Sequence, residues 1–267
     1  MRPPGPPGLL ALRAVTSGST SGRGILCLHG LTGTPFEVHA IAQALSEAGH
    51  VVSAPLLSGH GIDPAALEAS SWTDWLESAR AAFEALARQV EGPVAIVGFS
   101  MGGLLAIELA KAAPERVAAL AILSSPLRLR ATQVSGIRLL SLVPQRLRRG
   151  RFRAIPKRFG SDVAHPDLRG KVLGLPAMPV RALENLLRLM AAARTDLGSV
   201  LAPTLVAHGR HDHTVPISAS FELSERLGAP TVERLWLENS FHLVGLDNDK
   251  QALIDAIMRF FASHARW

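Results

Sequence analysis

Six short apolar runs alternate along this chain with longer stretches whose apolar residues recur at helical spacing, and few folds accommodate that alternation. The runs are Gly24–Leu28, His50–Ala54, Val94–Gly98, Val117–Leu123, Thr204–His208 and Thr231–Leu237. Between them Phe36–Ala48, Ser71–Gln89, Met101–Ala113 and Pro216–Leu227 read as helices, and Asp249–His264 as a closing helix. Apolar strands separated by helices belong in a parallel sheet covered on both faces. The expected fold class is therefore α/β, a mostly parallel sheet flanked by helices.

One interval breaks the register. From about Pro126 to Leu197 the chain shows no clear strand and is too long for an ordinary crossover. We expect one domain over residues 1–267 with a helical cap inserted at about 126–197. Inside that interval Thr132–Leu142 and Val180–Arg194 are patterned as helices, the second with Leu183, Leu187 and Met190 on one face. That face suits contact with an apolar ligand chain and suits core packing equally well. The start of the sequence, Met1–Gly8, has one basic residue and no apolar run, and reads as a flexible lead-in rather than a secretory signal. No stretch approaches the roughly 20 apolar residues that span a bilayer. The single cysteine, Cys27, sits in an apolar run as a buried small hydrophobe, which fits a reducing cytoplasm.

The net charge of +6 invites a nucleic-acid reading, but its distribution argues against one. Arg128 to Lys171 holds twelve basic and two acidic residues, so the rest of the chain carries a net −4. The excess is confined to the expected cap. Arg146, Arg148, Arg149, Arg151 and Arg153 there read as a solvated face, with transient contact to an anionic membrane surface as the alternative.

The hexapeptide Gly98-Phe99-Ser100-Met101-Gly102-Gly103 follows an apolar strand and opens an Ala/Leu-rich helix. A serine on so sharp a strand-to-helix turn tolerates only small neighbours two residues away, which Gly98 and Gly102 supply. Ser100 is the candidate nucleophile. The loop His29-Gly30-Leu31-Thr32-Gly33-Thr34-Pro35 follows an earlier strand, and its glycines let backbone amides turn toward a developing oxyanion. The candidate donors are the N–H groups of Leu31 and Met101. His29 reads as structural, a ring bonded within its own loop.

A serine hydroxyl needs a base, and the base needs an acid to hold its tautomer. Asp212 lies just beyond the strand Thr204–His208, at the carboxyl edge where sites form in open α/β sheets. Asp196 and Asp247, at the cap boundary and on the approach to the last helix, are the weaker choices. His242, in the loop after the last strand, completes the order Ser, Asp, His. A metal held by His208, His211, Asp212 and His213 is the competing reading. Residues straddling a strand end point in alternating directions, and the H-E-x-x-H pattern is missing. No metal and no cofactor is expected, since phosphate-binding and dinucleotide motifs are missing too.

With these residues in place the chain resembles the α/β-hydrolase superfamily, in particular its bacterial carboxylesterase and monoacylglycerol lipase branch. The resemblance rests on His29–Pro35, Ser58-Gly59-His60-Gly61, Trp72-Thr73-Asp74-Trp75, Gly98–Gly103, Asp212-His213-Thr214-Val215-Pro216 and Asn239-Ser240-Phe241-His242. It implies an α/β-hydrolase fold with a small helical cap over an acyl pocket, and serine-dependent hydrolysis of an acyl ester, small or lipid-like, through an acyl-enzyme. Leu31 stands where relatives often carry phenylalanine, and the basic cap does not transfer pocket residues. Thioester, lactone or carbon–carbon hydrolysis on the same triad is the alternative, and a non-catalytic ligand-binding hydrolase fold is a further one.

Overall fold

The computed structural model describes residues 22–144, 147–148, 153–157 and 160–267. The expected lead-in Met1–Gly8 and the arginines Arg146, Arg149 and Arg151 lie outside the described residues. In chain order the strands are β1 (Gly24–Leu28), β2 (Val51–Ser53), β3 (Val94–Phe99), β4 (Val117–Leu123), β5 (Ala154–Pro156), β6 (Ala177–Pro179), β7 (Thr204–Gly209) and β8 (Val232–Leu237). The helices are α1 (His39–Glu47), α2 (Pro64–Ala69), α3 (Trp72–Ala87), α4 (Met101–Ala112), α5 (Ala131–Ser141), α6 (Val180–Arg194), α7 (Ser218–Arg226) and α8 (Lys250–His264).

Six of the strands form one parallel sheet in the order β2-β1-β3-β4-β7-β8. Burial follows that order: β1, β3, β4 and β7 are buried at every residue, whereas β2 and β8 are partly exposed. The charged pair Glu233 and Arg234 is tolerated on β8 because that strand closes one edge. Alternate side chains separate onto the two faces of the sheet. Leu26, Leu28 and Ile96 join an apolar cluster with α3, α4, α6 and α7, while Ile25, Cys27, Ala95 and Val97 join another with α1 and α8.

The helices begin where local chemistry places them. A capping box between Ser71 and Asp74 opens α3, which buries Trp75, Ala79, Phe83 and Leu86 along one stripe. The stretch expected as one helix from Phe36 starts as a tight 3₁₀ turn, Pro35–Val38, and becomes α-helical only at His39. Asp63 caps α2, whose six residues are too few for a periodicity to be read.

The interval expected to lack strands holds β5 and β6, a two-stranded antiparallel ribbon pairing Ala154 with Pro179 and Pro156 with Ala177. Three-residue strands containing proline carry no legible alternation, which is why the pattern missed them. Within the same interval α6 packs on α4, α5, α3 and α2. Among the described residues no helix is long and apolar enough to cross a membrane.

One buried carboxylate ties the inserted segment to the sheet's carboxyl edge. Asp247 accepts N–H bonds from Ala164 at 2.9 Å, His165 at 2.8 Å, Phe241 at 2.8 Å and Asn248 at 2.9 Å. This weaker candidate acid therefore serves as an anchor, and its oxygens are committed to the backbone. Asp247→Ala strands the half-buried donors of Ala164, His165 and Phe241, with a cost of about 1–3 kcal/mol for each that stays unpaired, while exposed Asn248 turns to water. Urea unfolding should show a loss of at least about 3 kcal/mol, with Asp247→Asn intermediate; stability within about 1 kcal/mol of the parent would contradict the anchoring role.

Candidate active site

Ser100 sits between β3 and α4 with φ 52° and ψ −119°, a left-handed backbone that a non-glycine residue holds only when its surroundings enforce it. Its N–H donates to the Leu123 carbonyl at 2.8 Å, and its own carbonyl accepts from Gly103 N–H at 3.0 Å and Ser125 Oγ at 3.1 Å. The neighbouring glycines are required by space. A Cβ on Gly98 would lie 2.5 Å from the Gly102 carbonyl oxygen, and one on Gly102 would lie 2.3 Å from the Leu28 carbonyl oxygen. Both obstacles are backbone, so neither can swing away.

His242, in the loop after β8, receives the Ser100 hydroxyl on Nε2 at 3.1 Å and donates from Nδ1 to Asp212 Oδ2 at 2.8 Å. All three residues are buried, and Phe99 packs on the imidazole with ring centroids 5.1 Å apart. Asp212 Oδ1 accepts the N–H groups of Thr214 at 2.8 Å and Val215 at 2.7 Å. Burial pushes its carboxyl upward, but the His242 charge and the bonds from His208 and His242 outweigh it and hold the group well below the usual carboxylate range. For His242, burial works to lower the pKa, while the charge and bond of Asp212 and the charges of Asp162 and Glu37 raise it; the net direction is up.

Sequence reasoning missed three supporting residues. His208, weighed only as a metal ligand, has Nε2 3.1 Å from Asp212 Oδ2 and 3.2 Å from the Val215 carbonyl, and Nδ1 2.5 Å from Ser220 Oγ. Facing two acceptors, Nε2 carries the proton and steadies the acid. His213 instead pairs with Asp162, and the His211 ring lies against Phe241. Asp162, from the inserted segment, accepts from the N–H groups of His213 and Thr214 and from Thr214 Oγ1. Glu37 accepts the Gly30 N–H at 2.9 Å. Asp162 reaches the site from 51 positions away, whereas His208 and Glu37 lie 4 and 7 positions from their partners, and no motif spacing marks any of them.

The loop after β1 runs past the nucleophile, since a Cβ on Gly30 would lie 3.1 Å from Ser100 Cβ. Met101 is the first residue of α4, so its N–H has no helical acceptor and points from the positive end of the helix. Among the described residues neither the Leu31 nor the Met101 N–H donates to another group. His29 Nε2 accepts the Leu57 N–H at 3.1 Å, which leaves the ring proton on Nδ1 for the Gly30 carbonyl at 3.0 Å. Burial and nearby His60 push its pKa down to about 3, so this ring stays neutral and structural. Beneath it His60 donates to the Ser58 carbonyl and meets the edge of Trp75, so the Ser58–Gly61 turn and α3 brace the loop.

Of the three residues on the expected ligand-facing side of α6, Met190 belongs to the first apolar cluster, half-buried Leu187 packs against it, and Leu183 is buried outside both clusters. Arg148 is not on a solvated face: it is buried, bonded to Glu184 at 2.6 Å and to the Val143 carbonyl at 2.8 Å. Arg153 is exposed and pairs with Glu68 at 2.7 Å.

The arrangement can deprotonate a serine and receive an oxyanion beside it. Because a protonated imidazole cannot take the Ser100 proton and His242 is raised above 6.5, phosphonylation of Ser100 by a fluorophosphonate should fall as pH drops through an apparent pKa above that value. Asp212→Asn should slow it by about 10⁴. Rates independent of pH between 5 and 8, about the range in which an imidazole titrates, would refute the assignment of His242 as base.

Residues 21–249 match the family described as serine aminopeptidase, S33. The thermostable monoacylglycerol lipase of Bacillus sp. strain H-257 is 29% identical over 242 residues, 91% of each chain. The carboxylesterase of Bacillus subtilis strain 168 is 23% identical over 89% of this chain and 92% of its own. Among solved structures, one from the work on the metagenome-derived lipolytic enzymes LipS and LipT superposes with a TM-score of 0.83 at 31% identity, covering 92% of this chain and 95% of that one.

Proposed function

The chain belongs to the serine aminopeptidase S33 family of α/β-hydrolases, and from that premise we propose that it hydrolyses carboxylic esters through an acyl-enzyme on Ser100. The observation that carries this reading is the unbroken hydrogen-bond chain from Ser100 through His242 to Asp212, with the free N–H of Met101 one residue from the nucleophile. Relatives named as lipases and esterases support the ester rather than the peptide bond as the target.

His242 takes the Ser100 proton as Oγ attacks the ester carbonyl, and Asp212 holds the imidazolium that results. The Leu31 and Met101 amides stabilise the oxyanion, an interaction stronger in the tetrahedral state than in the planar ester. His242 then returns the proton to the departing alcohol. Water, deprotonated by the same imidazole, attacks the acyl-Ser100 carbonyl, and collapse of the second tetrahedral state releases acid and free serine. No step calls for a metal or an organic cofactor.

A lipid-like ester such as a monoacylglycerol is the substrate class we favour, because one of the relatives covering most of both chains is a monoacylglycerol lipase. Leu183 remains our candidate for acyl contact on α6, with Leu187 and Met190 contributing through the packing of that helix. Hydrolysis of p-nitrophenyl esters from acetyl to palmitoyl and of monoacylglycerols, with Ser100→Ala as blank, tests this. We expect turnover of medium or long chains and none in the blank. A short-chain optimum would leave a general carboxylesterase, and cleavage of aminoacyl anilides without ester turnover would overturn the reading.

Contact with a membrane surface has support independent of the arginines. Leu139, Leu142 and Leu147 are 68%, 77% and 61% exposed along and just beyond α5, beside Arg138. Exposed leucines flanked by basic residues suit the surface of an anionic bilayer. Sedimentation with anionic vesicles should fall at least about threefold in Leu139→Ser/Leu142→Ser and fall with salt; binding unaffected by both would dismiss it. For the compartment we favour the cytoplasm, on the strength of the lone buried Cys27.

A further inference from the structure

The loop that carries Leu31 is built on a carboxylate. Glu37, in the turn Pro35–Val38, is buried, and its Oε2 accepts the Gly30 N–H at 2.9 Å. The carboxylate also lies flat against Gly33, where a Cβ would come within 2.1 Å of Oε2 and 2.3 Å of Oε1. Glycine at 33 is thus what makes room for Glu37. Thr32, between them, has φ 63°, so the loop does not relax to this shape on its own.

The aim of the Leu31 N–H follows from its neighbours. That N–H shares a peptide plane with the Gly30 carbonyl, which accepts from Gly33 N–H at 3.2 Å and from His29 Nδ1 at 3.0 Å. In a trans peptide the carbonyl and N–H point in opposite directions, so fixing one aims the other. On the preceding plane the Gly30 N–H is fixed by Glu37. With both planes held, the Leu31 N–H is the first in the loop with no acceptor among the described residues.

We propose that Glu37 is a positioning residue for the oxyanion loop, holding the Gly30 N–H so that the Leu31 N–H is presented to the tetrahedral intermediate. This rests on the reading of Ser100 as nucleophile. The groups facing Glu37 suit the role. Lys157, in the loop after β5, and His242 act on its charge, and burial against them raises its pKa to about 7. Lys157 in turn is lowered by burial and supported by Glu37, and Glu37 contributes with Asp212 and Asp162 to raising His242. Removing the charge of Glu37 while keeping its oxygen should therefore move the acid limb of activity to lower pH without disturbing the loop.

The experiment compares Glu37→Ala, Glu37→Gln, Gly33→Ala and the double variant Gly33→Ala/Glu37→Ala, reading ester turnover, Ser100 phosphonylation and inhibition by an alkyl trifluoromethyl ketone, whose adduct carries an oxyanion. A misplaced donor costs about 10–100-fold. Glu37→Ala should lose that much in kcat and in ketone affinity with KM within about threefold, since uniform binding is untouched. Gly33→Ala should match it, because the new methyl group displaces the carboxylate, and the double variant should be no worse than either single one. Glu37→Gln should keep ketone affinity within about threefold and shift its acid limb downward. Unchanged ketone affinity in folded Glu37→Ala, additive losses in the double variant, or a Gln variant as impaired as Ala would each overturn the proposal. If the parent hydrolyses no ester, the ester reading falls, while the phosphonylation rates of the same variants still decide the role of Glu37.

Discussion

The close approach of α4 to the ends of β1 and β3 is the constraint from which the rest of the site follows. Where Gly98 and Gly102 lie, backbone oxygens of Gly102, Leu28 and His29 occupy the space that side chains would need. That contact forces Ser100 into a positive-φ turn, and the Leu123 carbonyl secures the turn from β4. Three strands and one helix therefore set the position of a single hydroxyl. The same contact places the open N-terminus of α4, with the Met101 amide, beside the nucleophile, so the donor and the attacking atom cannot drift apart independently. It also explains why α4 is buried nearly all round: a helix pressed this hard onto a sheet and overlaid by α6 has no solvent face to fill with charge.

Loops at the carboxyl edge of a sheet leave backbone donors without strand partners, and here carboxylates answer them, Asp212, Asp247 and Glu37 buried and Asp162 half-buried. Asp212 takes two amides of its own turn, Asp162 takes two more in the same loop from its place between β5 and β6, Asp247 takes four, and Glu37 takes one. Where the donor is buried, as at Gly30 and Val215, the bond relieves a desolvation penalty that would otherwise fall on the N–H. The accumulated negative charge has a second effect. His242 is buried enough to be driven neutral, yet Asp212, Asp162 and Glu37 reverse that direction. The groups that hold the loops in shape thereby also raise the imidazole that we propose as the base.

What was legible in the sequence tracks how local each signal is. The central strands could be read because they are buried on both faces and so appear as unbroken apolar runs, and Ser100 because steric demands two residues either side leave a mark in the glycines. Asp212 and His242 were proposed from their place after strands, not from any feature of their own, and the structure brings both to Ser100. Asp162, Glu37 and His208 were not found as site residues: Asp162 acts on a partner 51 positions away, and Glu37 and His208, though only 7 and 4 positions from their partners, belong to no recurring spacing that would single them out. The ribbon of β5 and β6 escaped for a related reason: its pairing joins segments separated by twenty residues and leaves no periodicity in either.

The histidines show why residue type alone decides so little. His29 and His242 both lie in loops after strands and both are buried, yet one is lowered to about 3 and the other is raised. The difference lies in what each nitrogen faces. His29 Nε2 receives a backbone N–H and its Nδ1–H meets a neutral carbonyl, so a second proton would collide with a donor and find no countercharge. His242 Nδ1–H meets a carboxylate, and its Nε2 faces a hydroxyl that can surrender a proton. A buried imidazole can act as a base only in the second setting, because there the charge it gains during the reaction already has a partner. His208 lies between the two: its Nε2–H is spent on Asp212 and Val215 and its Nδ1 on Ser220, so it cannot exchange protons with a substrate and serves by keeping the acid ionised. Catalytic assignment in this fold is therefore a question of which histidine has a lone pair directed at a protonated oxygen and an anion behind it, and among the described residues His242 meets that condition on Ser100.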